Sequence, residues 1–181
     1  EIVPKTALVE DPALVEWAEA TGHKPVRQPR SPRPARLPKA ADAGYTAIVT
    51  TMKNEGPFIL EWLAYHRAIG VEKFLVYTND CSDGTDTLLD LLQSHGVVEH
   101  RDNPFRSLGL PPQHGALQAA EAEPAIRDSG WAICMDVDEF INIHVGDGRL
   151  ADLYAAVDDA NLISLTWRLY GNADIHAFDP R

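Results

Sequence analysis

Residues Trp131 to Ile143 read WAICMDVDEFINI. The stretch opens with an apolar run, Trp131 to Met135, of the length and kind that fills a buried central strand. It then turns to acid, with Asp136, Asp138 and Glu139 inside four residues. Side chains along a strand repeat every two residues, so Asp136 and Asp138 are expected on one side. Two carboxylates held together repel each other unless a cation lies between them. Oxygen ligands of this kind suit Mg²⁺ or Mn²⁺. The plainer reading is a strand end that enters solvent, where Asp is common, and a D-x-D match alone does not separate the two.

Working outward, the chain alternates strand and helix patterns. YTAIVTT, Tyr45 to Thr51, reads as a first strand, followed by the polar loop Lys53-Asn54-Glu55-Gly56. Pro57 and Gly70 bracket a helix with an apolar face of Phe58, Ile59, Trp62, Leu63, Tyr65 and Ile69. Val71 to Tyr77 is a second strand, Thr78 to Thr85 a second polar loop, and Asp86 to His95 a second helix stopped by Gly96. Val97 to His100 reads as a short third strand and Asn103 to Pro112 as an irregular loop. Gln113 to Asp128 reads as helix restarted at Pro124. Beyond the acidic stretch, Leu150 to Val157 is a short helix and Leu162 to Trp167 a further strand. This order predicts an α/β Rossmann-type layered domain with a mainly parallel sheet. Ligands of such sheets bind beyond the carboxyl ends of the strands. Thr51 to Glu55, Asn79 to Asp83 and Asp136 to Glu139 all fall at such ends.

The 181 residues suffice for one domain with a real core. Two regions are expected: a short helix, Ala7 to Ala20, and a linker over 1–44, then the α/β domain over 45–181. From Gly22 to Leu37 the chain is a Pro-rich connector. Lys24, Arg27, Arg30, Arg33, Arg36 and Lys39 recur every three residues, so a polyproline II conformation would align them as one basic ribbon. A solvated linker with an accidental period is the alternative.

The net charge of −11 argues against general nucleic-acid binding. Residues 1–44 hold seven Lys/Arg and six Asp/Glu, so nine basic and 21 acidic residues of the 16 and 27 fall in 45–181, a net of −12. Such a domain repels phosphates unless a metal or a local basic group intervenes. No apolar run approaches the ~20 residues of a membrane span. Cys81 and Cys134 suggest neither a disulfide framework nor a zinc site, Cys134 reads as a buried apolar residue, and a reducing, cytoplasmic setting is expected. The chain starts at Glu1 without a signal-peptide pattern, so an excised piece is expected.

The loops suit a diphosphate ligand whose charge a cation neutralises. Asp80 is placed to accept hydrogen bonds from a base or ribose, or is simply a turn residue. Asp83 is a ligand or, before Gly84-Thr85, a helix cap. Lys53 either touches a phosphate or is exposed. His66, His95 and His100 lack ligand spacing. His176 is a further candidate metal ligand.

Together, TTMKNEGPFILEWLAYHRAIGVEKFLVYTNDCSDGT, MDVDEFINI and TWRLYGN resemble the family 2-like glycosyltransferases, including the related family 92 group, from about Tyr45 onward. The resemblance implies a GT-A fold and a nucleotide-sugar donor, most often a UDP-sugar. It also implies inverting transfer to a saccharide or other hydroxyl acceptor. It implies nucleoside contacts from Thr51 to Glu55 and from Asp80. Donor and metal contacts would come from Asp136 and Asp138, and an acceptor-side lining from Trp167 to Asn172. The candidate donor-binding set is therefore Thr51, Lys53, Glu55, Asp80, Asp83 and Asp136, with Asp136 and Asp138 on Mn²⁺ or Mg²⁺. The second loop has Asn79-Asp80 where two acids are frequent in the family. Such enzymes continue past this region and draw their base from there, so a C-terminally incomplete domain is expected. Asp174 and Asp179 are candidate bases only, and the catalytic residue stays unassigned. A transferase-like module that binds nucleotide or protein without turnover is the alternative, and a nucleotidyltransferase is disfavoured by the lack of a Gly-rich phosphate loop.

Overall fold

A computed structural model describes residues 44–157 and 160–171. The expected helix Ala7 to Ala20, the basic ribbon, and Asn172, Asp174, His176 and Asp179 lie outside the described residues. The strands are β1 (Thr46–Met52), β2 (Lys73–Thr78), β3 (Glu99–Asp102) and β4 (Trp131–Cys134). They form one sheet in the order β3-β2-β1-β4, and every pairing is parallel. Six helical segments connect or follow them: α1 (Ile59–Ile69), α2 (Thr85–Ser94), α3 (Phe105–Leu108), α4 (Pro112–Ala120), α5 (Pro124–Arg127) and α6 (Leu150–Ala156). This is the expected α/β, Rossmann-like layered arrangement.

Strand alternation sorts the core into two layers. Ile48, Phe74 and Val76 pack with Trp62, Leu63 and Leu89 of α1 and α2, while Val49, Leu75 and Tyr77 pack with Ala116 and Ala120 of α4. The small residues of α4 let it lie close. A Cβ on Gly115 would fall 2.6 Å from the Phe105 Cα, so only glycine fits where α4 crosses α3. Helix α1 ends where Gly70 takes φ 113, and the Val71 amide donates to the His66 carbonyl at 2.9 Å. Glycine bears that left-handed turn without a Cβ clash.

Register determines where the loops emerge. Met52 lies opposite Thr78, and Thr78 opposite Asp102, so the first three strands end level. Cys134 lies opposite Val49, so β4 stops three residues short of Met52 and the acidic residues after it run alongside the end of β1.

Several expectations are corrected. The acidic strand is not central: among the described residues β4 is a sheet edge, with Ala132 and Cys134 exposed. Cys134 is therefore not buried, because alternation turns it toward the side that α4 covers only in part. Leu162 to Trp167 forms no strand. Its β-rich composition is not enough without a hydrogen-bonding partner, and Leu162, Leu165 and Trp167 are exposed. The third strand starts two residues later than read, and Asn103 to Pro112 contains the single turn α3.

Candidate functional site

Four segments meet at the carboxyl rim. After β1, Lys53 to Gly56 forms a loop in which Asn54 takes φ 61; after β2, Asp80 takes φ 53. Asn and Asp tolerate this left-handed geometry better than other side chains, and such backbone collects at ligand loops. The two loops are bound together. The Asn54 Oδ1 accepts from the Ser82 amide at 2.8 Å, the Glu55 amide donates to the Thr85 Oγ1 at 2.9 Å, and the Gly56 amide donates to the Asp83 Oδ2 at 3.2 Å. The other oxygen of Asp83 accepts from the amide and hydroxyl of Thr85, at 3.0 and 2.7 Å. Asp83 thus ties the start of α2 to the first loop. Those bonds from Thr85, led by its hydroxyl, hold the Asp83 carboxyl below its ordinary value.

Asp80 is exposed and accepts from Arg106 Nη2 at 3.0 and 2.8 Å, and the Arg106 guanidinium lies over the Phe105 ring at 4.6 Å. Chiefly that hydrogen bond depresses its carboxyl, with smaller help from Asn79 and the Lys53 charge. Lys53 is exposed beside it.

The acidic motif is a turn rather than a strand end. The Glu139 amide donates to the Asp136 carbonyl at 3.2 Å, and the Asp136 amide donates to Glu139 Oε2 at 3.0 Å. Val137 and Ile141 are buried, while Asp136 and Asp138 are exposed. The two aspartates flank an inward-facing valine and both open to solvent.

Glu55 connects the clusters electrically. Partial burial raises its carboxyl pKa first, followed by the charges of Asp138, Asp83 and Asp136. Carboxylates far apart in sequence are therefore close enough to feel one another across the rim. A shallow dip in the surface between β1, β4 and α4 is lined by Thr51, Gln113, Cys134, Met135 and Asp136, among others. The Cys134 thiol lies at its wall, where loss of water and then the charges of Asp136 and Glu139 push its pKa up.

The structure thus brings Thr51, Glu55, Asp83, Asp136 and Asp138 to one edge, with Lys53 on the loop of Glu55 and Asp80 on the loop of Asp83. Sequence reasoning missed Thr85, Arg106 and the internal use of Glu139. Thr85 carried a signal, since a hydroxyl two residues after Asp at a helix start commonly knits a turn; Arg106 carried none.

No helix among the described residues is long and apolar enough to cross a membrane. Among them, too, no group of three or more His, Cys, Asp or Glu side chains is gathered as a ready-made metal cage.

The chain matches the family described as Glycosyltransferase family 92 over residues 47–178. It is 33% identical over 102 residues to a glycosyltransferase family 92 protein of Ricinus communis, covering 55% of this chain and 17% of that one. It is 29% identical over 139 residues to a family 92 protein of Arabidopsis thaliana, covering 74% of this chain and 23% of that one. A family 92 protein of Oryza sativa subsp. japonica is 29% identical over 108 residues, covering 59% of this chain and 17% of that protein. The chain thus spans about a fifth of the length of these curated relatives. No solved structure matches it.

Proposed function

The chain belongs to glycosyltransferase family 92, and from that premise we propose that it forms the donor-binding part of a metal-dependent inverting glycosyltransferase. The donor is a nucleotide-sugar, a UDP-sugar above others, and the acceptor a saccharide or other hydroxyl compound. The cytoplasmic setting inferred from the two cysteines belongs to the same proposal.

One observation carries the reading: the charges of Asp136, Asp138 and Asp83 act on Glu55 at the carboxyl rim of a parallel sheet. An edge this acidic repels a diphosphate by itself. The donor set fits a hard divalent cation, because Asp136 and Asp138 are exposed carboxylates on one turn, with no cationic side chain paired to either among the described residues. Mg²⁺ and Mn²⁺ suit one or two carboxylates, with remaining positions filled by phosphate oxygens and water. Asp136 and Asp138 would hold the cation, which supplies charge neutralisation for the departing diphosphate.

This chain's other groups have separate tasks. Asp80 exchanges its Arg106 partner for hydroxyl or base donors of the nucleoside. Thr51 and the 53–56 loop border the same ligand, and Lys53 offers it an exposed positive charge. Asp83 keeps the two loops in register rather than meeting the donor directly, since both its oxygens already accept bonds within the chain.

The test is thermal unfolding of the full-length protein with UDP, GDP or CDP, each with and without Mn²⁺. A ligand that binds the native state raises the midpoint, by about 2.7 kcal/mol of stability at one hundred times its Kd. The expected result is stabilisation that needs both the metal and one nucleotide, and that Asp136→Ala abolishes. No response, with Asp136→Ala behaving as the parent, overturns the donor site and favours a module without turnover.

A further inference from the structure

Strand pairing of β4 ends at Cys134, so among the described residues the acidic turn that follows is not fixed by a strand ladder. Its backbone is held from below by one face of α1. The Trp62 indole N–H donates to the Glu139 carbonyl at 3.1 Å, and the Tyr65 hydroxyl donates to the Ile141 carbonyl at 2.7 Å. Trp62 and Tyr65 are three apart, so they rise side by side from the helix. His66 completes the platform: its Nδ1 donates to the Trp62 carbonyl at 2.8 Å, and its ring stacks on Phe140 at 5.8 Å and 24°. The Tyr65 ring meets Phe140 edge-on at 5.2 Å, and the Trp62 ring meets Phe74 of β2 at 5.6 Å. Trp62 and His66 are fully buried. A rigid aromatic shelf anchored in the core thus grips the main chain on the C-terminal side of the two aspartates.

We infer that Trp62 and Tyr65 are positioning residues for the metal-binding turn, setting where Asp136 and Asp138 stand through hydrogen bonds to the Glu139 and Ile141 carbonyls. The inference rests on the donor-and-metal reading above. Glu139 belongs to the same device, since one oxygen of its carboxylate closes the turn on the Asp136 amide. Two carboxylates on a short turn repel each other, and without a grip from α1 the turn relieves that repulsion by opening. The cation then has to draw the aspartates together again at the expense of its affinity.

The experiment is Mn²⁺ titration of the full-length protein by electron paramagnetic resonance, with saturating UDP, well below the unfolding midpoint. UDP binding without metal is measured in parallel. Parent, Tyr65→Phe, Trp62→Phe and Asp136→Ala are compared. Phe at 65 keeps the ring contacts and removes only the donor, and Trp62→Phe removes the other donor independently should one variant fold poorly. Loss of one such bond is expected to weaken Mn²⁺ roughly fivefold, the fold-change of a typical net hydrogen bond, with metal-free UDP affinity unchanged. A purely structural role would lower the unfolding midpoint and leave Mn²⁺ affinity at this temperature untouched, or weaken metal and nucleotide alike; either result overturns the inference. If the parent binds and Asp136→Ala does not, while both aromatic variants match the parent, the positioning role fails and the donor site stands. If the parent itself binds no Mn²⁺, the donor-and-metal reading fails and takes this inference with it.

Discussion

Thr85→Val tests whether the rim is one assembled unit. The Thr85 side chain is fully buried, its hydroxyl accepts from the Glu55 amide at 2.9 Å and donates to Asp83 Oδ1 at 2.7 Å. Valine keeps the shape and removes both bonds. Asp83 is exposed, so water replaces its lost partner and that half of the effect is small. The Glu55 amide is part-buried and loses its acceptor, which costs about 1–3 kcal/mol. A net loss near 2 kcal/mol follows, or about 4–8 °C in midpoint for a chain of this size. Thr85→Ser keeps the hydroxyl and loses a buried methyl, worth about 1 kcal/mol. Urea denaturation measures both variants, and hydrogen exchange at the Glu55 amide separates them. The amide should lose protection in the valine variant and keep it in the serine variant. Equal protection in parent and valine variant would refute the claim that Thr85 joins the two loops.

Two further outcomes follow from charge. Glu55 titrates above its ordinary value because of burial and then its acidic neighbours. Its share of native stability is thus complete below pH 4.5 and is lost as pH rises through the raised value. Glu55→Gln should therefore stabilise the metal-free protein at neutral pH, leave it unchanged below the ordinary carboxylate range, and weaken Mn²⁺ binding with UDP; a destabilised variant at neutral pH would contradict the rim geometry. His66 behaves oppositely: burial lowers its pKa from 6.5, against the bond to the Trp62 carbonyl, and its buried Nε2 has no partner among the described residues. Stability contributed by the neutral ring is present above pH 6.5 and declines as pH falls through that value toward the lowered one, so denaturation midpoints should drop over this window in the parent and stay flat in His66→Leu.

Much of the fold could be read locally. β1 and β2 are runs of buried β-formers, α1 is bracketed by Pro57 and Gly70, and the helix-strand spacing permits few arrangements besides a parallel sheet. The edges could not. Whether a strand is central depends on what pairs with it from elsewhere, and nothing in WAIC distinguishes a central strand from β4, which has β1 on one side only among the described residues. LISLTW at 162–167 shows the same limit: its composition suits a strand, but a strand is a relation between two segments, and no partner among the described residues pairs with it.

The site follows the same logic at the scale of side chains. Its carboxylates were legible because three polar clusters each follow a strand pattern, and a parallel sheet carries such ends to one rim. The groups that aim them were not, because Trp62, Tyr65 and Thr85 look like ordinary members of an apolar helix face and a helix start. Their polar atoms matter only once the chain has folded, when one indole N–H and two hydroxyls each meet a backbone carbonyl, amide or carboxylate up to 77 residues away. The expected pairing of Asp136 and Asp138 was derived from strand alternation, yet the structure reaches a common solvent-facing placement through a turn around buried Val137. A turn is softer than a strand, so the distance between these carboxylates is adjustable. The Trp62 and Tyr65 hydrogen bonds to the Glu139 and Ile141 carbonyls hold that turn from α1, doing for it what strand pairing does for β4.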